Sequence, residues 1–106
     1  MPKFLFQASY NAEGAKGVLK EGGSARRAAV ERLVKGLGGR VEAFYFAFGD
    51  VDAFVIADVP GNVDAVAVAL AANASGVMQV KTTVLHTPEE MDAATKRAAN
   101  FRAPGR

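Results

Sequence analysis

The stretch Arg40 to Val59, RVEAFYFAFGDVDAFVIADV, constrains this chain more than any other part of it. Two apolar runs rich in aromatic and β-branched residues meet at Gly49-Asp50-Val51-Asp52, the pattern of a β-hairpin. Pairing Gly49 with Asp52 predicts Phe48 opposite Ala53, Phe46 opposite Val55 and Phe44 opposite Ala57. One face then sets large rings against smaller residues. The other sets Ala43, Tyr45 and Ala47 against Phe54, Ile56 and Asp58. Both faces are apolar, so both need cover from water.

The flanking segments show what the hairpin can pair with. Lys3 to Tyr10 alternates, with Phe4, Phe6, Ala8 and Tyr10 on one side and Leu5, Gln7 and Ser9 on the other, which predicts a strand. Asn11 caps a short helix that runs to about Lys20 before Glu21-Gly22-Gly23 interrupts it. Ser24 is the expected cap of a stronger helix. Its Val30, Leu33, Val34 and Leu37 form the apolar stripe, Arg26, Arg27, Glu31, Arg32 and Lys35 form the solvated side, and Gly38-Gly39 ends it. Glu31 and Lys35 are spaced for a surface ion pair of about 0.3–0.5 kcal/mol.

After the hairpin, Pro60-Gly61-Asn62 predicts a turn, with Asn62 capping a second main helix. Val63, Val66, Ala67, Leu70, Ala71 and Ala74 are its expected buried stripe. Its remaining side is almost as apolar, which predicts cover on more than one side. Val77 to Leu85 alternates as a fourth strand, and Thr87-Pro88-Glu89-Glu90 is a helix start with a cap, a proline in the first turn and acids beside it. Met91, Ala94, Ala98 and Phe101 give that last helix a narrow stripe, and the residues from Arg102 onward read as a tail.

Strand, helix, strand, strand, helix, strand is the βαββαβ order of an α+β ferredoxin-like sandwich, here over residues 1–106 as a single domain with an extra C-terminal helix. Two helices cover one face of a four-stranded antiparallel sheet in that arrangement. The other face here is apolar enough that a second copy of the chain, or the C-terminal helix, must cover it. The mostly alanine stripe of that helix favours the second copy, and a homodimer or higher oligomer is the expected partner.

Taken together, KFLFQASYNAEGAKGVLKEGG, the run AFYFAFGDVDAFVIADVP and VKTTVLHTPEEMD resemble the GYD-domain family, small bacterial and archaeal proteins marked by a Gly-x-Tyr-Asp motif at the central hairpin. Gly49 and Asp52 match that motif, whereas Val51 stands where the family has tyrosine. The family is similar to the dimeric α+β-barrel group, which includes oxygenases, haem enzymes, isomerases and ligand binders. The resemblance therefore implies a fold and a dimer, and it implies no particular reaction.

Composition removes several functions. Thirteen basic and eleven acidic residues leave a net charge of +2 with no basic stripe, so nucleic acid is not the expected partner. With no cysteine there is no disulfide framework or thiol nucleophile, and no cofactor is called for. No signal segment or membrane anchor is readable at the start of the sequence, and the chain reads as cytoplasmic.

The candidate site residues are few. Gln7 and Ser9 share one strand face, and Gln79, Lys81 and Thr83 share another. In the ferredoxin-like order these two strands are neighbours, so the sets can meet Tyr45 and Asp58 on one surface. The competing reading of Lys81 is protection of an edge strand. Tyr10, Tyr45, Lys81 and the single histidine, His86, are the available acid-base groups, and His86 is also a conceivable haem ligand. Asp50 and Asp52 fit turn formation better than a metal site, with Asp52 bonding to the turn's own backbone. The leading function is a homo-oligomeric module that binds a small ligand through Gln7, Tyr10, Tyr45, Asp58, Lys81 and His86. The alternatives are a cofactor-independent oxygenase or isomerase and a purely structural oligomer.

Overall fold

The computed structural model describes residues 1–47, 49–97 and 99–106. The elements follow in the order β1 (Lys3–Tyr10), α1 (Ala12–Glu21), α2 (Gly23–Gly36), β2 (Arg40–Phe46), β3 (Ala53–Asp58), α3 (Asn62–Ala74), β4 (Met78–Leu85) and α4 (Pro88–Thr95). All pairings are antiparallel and the strand order is β2-β3-β1-β4, so the chain is an α+β protein of ferredoxin-like form. β1 is a central strand. Gln7 and Ser9 therefore lie inside the sheet, and edge protection is a reading open to β4 alone among these two strands.

One face of the sheet carries the core. Phe4 and Phe6 of β1, Val55 and Ala57 of β3, Val34 of α2, and Ala65 and Val68 of α3 are buried together, with Val30, Leu33 and Leu37 of α2 packed against them. α2 lies on β2 and α3 lies on β4. α2 ends in a Schellman motif: Gly38, at φ 84°, donates its N–H to the Lys35 carbonyl, and Gly39 donates to the Val34 carbonyl. Gly39 then passes so close to the neighbouring strand that a Cβ there would lie 2.3 Å from the Asp58 carbonyl oxygen and 3.0 Å from Val34 and Val59 methyls.

Several expectations from the sequence are corrected. The hairpin pairs Phe46 with Ala53 and Phe44 with Val55, two residues away from the predicted register, and a bulge between Val41 and Ala43 then brings Val41 to Ala57. The turn is longer than four residues, closed by the Ala47 N–H donating to the Asp52 carbonyl at 2.8 Å. A slip of two keeps every side chain on its face, so the hydrophobic pattern could not resolve it. Phe48, predicted opposite Ala53, and Ala98 of the C-terminal stripe lie outside the described residues.

The caps also move. Gly22 and Gly61, not Ser24 and Asn62, occupy the N-cap positions of α2 and α3, and neither provides a side-chain hydrogen bond. Glu31 faces Arg27 at 3.9 Å in place of Lys35. In α3 the small side puts Ala65 and Val68 into the core while Val63, Val66 and Leu70 of the expected buried stripe are more than half exposed. A helix apolar all round gives periodicity no phase to report, and the side that allows closer approach to the sheet has won. α4 keeps its predicted start, a full capping box between Thr87 and Glu90 with Pro88 in the first turn. It ends at Thr95, so Phe101 falls beyond it, and every one of its residues is exposed.

The projecting α4 lengthens the molecule. Its radius of gyration is 16.7 Å, against about 13 Å for a compact chain of this size. The C-terminal helix thus leaves the second face of the sheet open. That face carries Leu5, Phe54, Ile56 and Tyr45 among its polar residues, while α2 and α3 pack on the other.

Gly39→Ala should destabilise the fold by about 1–3 kcal/mol, because the new methyl must displace the β3 backbone or the Val34 and Val59 side chains. Chemical denaturation of the two proteins measures this directly.

Candidate functional site

α2 and α3 each lie on their own strand and stand apart over the sheet. Ala29 of α2 and Ala71 and Ala72 of α3 line the gap between them, and their side chains are too short to fill it. The result is a cleft of about 200 Å³ with Phe6, Phe44 and Val55 in its floor. Its lining is apolar except for Tyr10, Arg26 and Ser75. These three and Met78 also border a neighbouring hollow of about 230 Å³, walled by α1, so they form a polar waist between two chambers.

Each waist residue is positioned by its own element. Tyr10 ends β1 with the same parity as Phe4, Phe6 and Ala8, which aims it to the helix side of the sheet. Its backbone N–H donates to the Asp52 carboxylate at 2.8 Å. Arg26 is one helical turn before Val30, and that spacing brings it onto the side of α2 that faces the sheet. It pairs loosely with Glu21 at 3.4 Å. Ser75 donates its hydroxyl to the Ala72 carbonyl at 2.6 Å and so closes the end of α3.

The residues singled out in the sequence divide among four places. Tyr45, Gln7 and Lys81 lie in one cross-strand row of the open face, through the pairs Tyr45–Phe54, Phe54–Gln7 and Gln7–Lys81. Tyr45 and Lys81 are on opposite edge strands, on the order of 14 Å apart at about 4.8 Å per strand, so only Gln7 and Lys81 are direct neighbours. Asp58 lies on the same face at the other end, tied to Lys3 at 2.9 Å and Arg40 at 3.3 Å. Lys3 also bonds Glu42. Tyr10 is on the opposite face, in the cleft. His86 sits in the connection to α4, exposed and 3.8 Å from Glu90. Arg26 is the site residue that the sequence reading assigned to solvent, and its four-residue step to Val30 was the available signal.

Gly49 and Asp52, the matched motif residues, shape and hold the hairpin turn. Gly49 has φ 138°, where side chains are strained, and the Asp52 carboxylate reaches past its own turn to accept the Tyr10 N–H. Asp52 also donates its own N–H to the Ala8 carbonyl at 2.8 Å, while the Ser9 hydroxyl donates to the Asp50 carbonyl at 2.6 Å. The turn is thereby clasped to the end of β1. A sequence profile for the GYD domain matches residues 4–95, from β1 through α4. The chain belongs to the GYD domain family. No curated protein and no solved structure matches it. Among its described residues this GYD domain holds no cluster of three or more metal-ligating side chains and no helix long and apolar enough to cross a membrane.

Charge on the open face is concentrated around Asp58. The Lys3 hydrogen bond, helped by Arg40, holds its carboxyl below the usual carboxylate range against the opposing effect of burial. Lys3 is raised in turn, first by Glu42 and then by Asp58. At the start of α4, the Thr87 backbone N–H is the main reason that Glu90 is lowered.

Removing the clasp with Asp52→Ala leaves the Tyr10 amide unpaired and should cost about 1–3 kcal/mol in urea unfolding. Asp58→Asn should cost about 1.5–3 kcal/mol at pH 7, as expected for hydrogen bonds to a charged group. Because the folded pKa of Asp58 is depressed, its contribution is present above the ordinary carboxylate value of about 4 and is lost as pH falls through the lowered one. The difference between Asp58→Asn and the parent should therefore shrink in acid, which unfolding measured from pH 7 to pH 3 would reveal.

Proposed function

We propose that this GYD-domain protein is a homo-oligomeric binding module that takes a small apolar ligand into the cleft between α2, α3 and the sheet. The cleft carries the reading: a concave, mostly apolar site with a few convergent polar groups is the usual form of a small-molecule pocket. A second copy packed on the open sheet face completes the module. Leaving Leu5, Phe54 and Ile56 short of full burial forgoes part of the ~1.5–3 kcal/mol that each such side chain can contribute.

The residues weighed as acid-base groups do not share this cleft. Tyr10 lines it, whereas Tyr45 and Lys81 lie on the opposite face and His86 lies beyond β4. Binding is accordingly a better account than an oxygenase or isomerase reaction. One observation favours a second reading, a purely structural oligomer: Val63, Val66 and Leu70 form an exposed apolar stripe along the outer side of α3.

Ala29→Leu fills the gap between the two helices, so it separates these readings. The variant should remain folded and lose the thermal stabilisation that small apolar compounds give the parent protein. Light scattering should give twice the chain mass, and Phe54→Glu on the open face should reduce it to one. A parent protein that no apolar compound stabilises would eliminate the binding reading. If its oligomer were abolished by Leu70→Glu and not by Phe54→Glu, the structural alternative would take its place.

A further inference from the structure

Resting on that binding reading, we infer that the ligand is an apolar anion whose charged head sits between Arg26 and Tyr10 while its body lies over the floor of the cleft. Among the described residues, Arg26 is the one charged side chain in a lining that is otherwise apolar apart from two hydroxyls. A neutral apolar ligand gives that guanidinium nothing to bind, and a cationic one meets repulsion.

Three further features favour negative charge at this point. The pairing of Arg26 with Glu21 is long, 3.4 Å against the 2.7–2.9 Å of a direct charge-assisted bond, and half of the Glu21 side chain is exposed. Glu21 can therefore turn to water when a ligand carboxylate takes its place. Arg26 also lies just inside the start of α2, where the cap Gly22 supplies no side chain and the first turn holds no acid to offset the positive end of that helix. Tyr10 adds a hydroxyl that has no hydrogen-bond partner among the described residues, whereas Ser75 has already committed its proton to the Ala72 carbonyl.

The neighbouring hollow fixes the direction of the ligand. It is bordered by Glu13, which disfavours an anion passing through it. The head accordingly stays at the waist, where the planar guanidinium fork matches a carboxylate, and the apolar body extends toward Phe6, Phe44 and Val55. Burial of the body supplies affinity, and the head selects for charge.

Octanoate and octanol test this as a matched pair, titrated calorimetrically into the intact protein at neutral pH, where the acid is ionised. Octanoate should bind about tenfold more tightly, the factor given by one modest charge-assisted hydrogen bond. Arg26→Gln should bring the affinity for octanoate down to that for octanol in the same variant, and Arg26→Lys should retain part of the preference. Equal binding of the two probes to the parent, or a preference that survives in Arg26→Gln, would overturn the anion while leaving the cleft as a binding site. Binding of neither probe would remove the cleft reading and the anion together.

Discussion

β1 is hydrogen-bonded on both sides, and its alternation settles what each face of this sheet can be. Phe4, Phe6 and Ala8 point to one side and Leu5, Gln7 and Ser9 to the other, and the registers with β3 and β4 extend that division across neighbouring strands. The rings of Phe4 and Phe6 are met by Val55 and Ala57 and roofed by Val34, Ala65 and Val68. Size complementarity between a ring-bearing strand and its small-residue neighbour lets the helices approach closely, which is where most of the folding energy of a domain this small must come from.

The same division produces the cleft. α2 reaches the core through Val30, Leu33, Val34 and Leu37, while α3 reaches it through the smaller Ala65 and Val68. Both helices are thus held over their own strands, and the small Ala29, Ala71 and Ala72 line the gap left between them. The polar groups collect at the open end because β1, the beginning of α2 and the end of α3 all finish there. Their convergence follows from topology, even though Tyr10, Arg26 and Ser75 are far apart in sequence.

Much of the architecture was readable in the residues. The exact extent of β1 followed from its alternation, and the start of α4 from Thr87, Pro88 and Glu90. What failed did so for physical reasons. The hairpin register was ambiguous because a two-residue slip leaves both faces unchanged. The orientation of α3 was hidden by a sequence with no polar side, and glycines took the cap positions from the neighbouring Ser24 and Asn62. The candidate site was legible in part: parity placed Gln7, Tyr45 and Lys81 on one face and Tyr10 on the other. The partnership of Tyr10 with Arg26 depends on how two distant helices lie over the sheet, and no local pattern encodes that.

Gly49 and Asp52 have a meaning different from the one that a sequence signature invites. The glycine permits a bend and the aspartate ties it to a neighbouring strand. Val51, between them, has an ordinary backbone conformation that valine and tyrosine accept alike. In this chain the motif residues fasten the hairpin turn to the end of β1. A fold held in this way supports many chemistries, and membership of the family by itself assigns none.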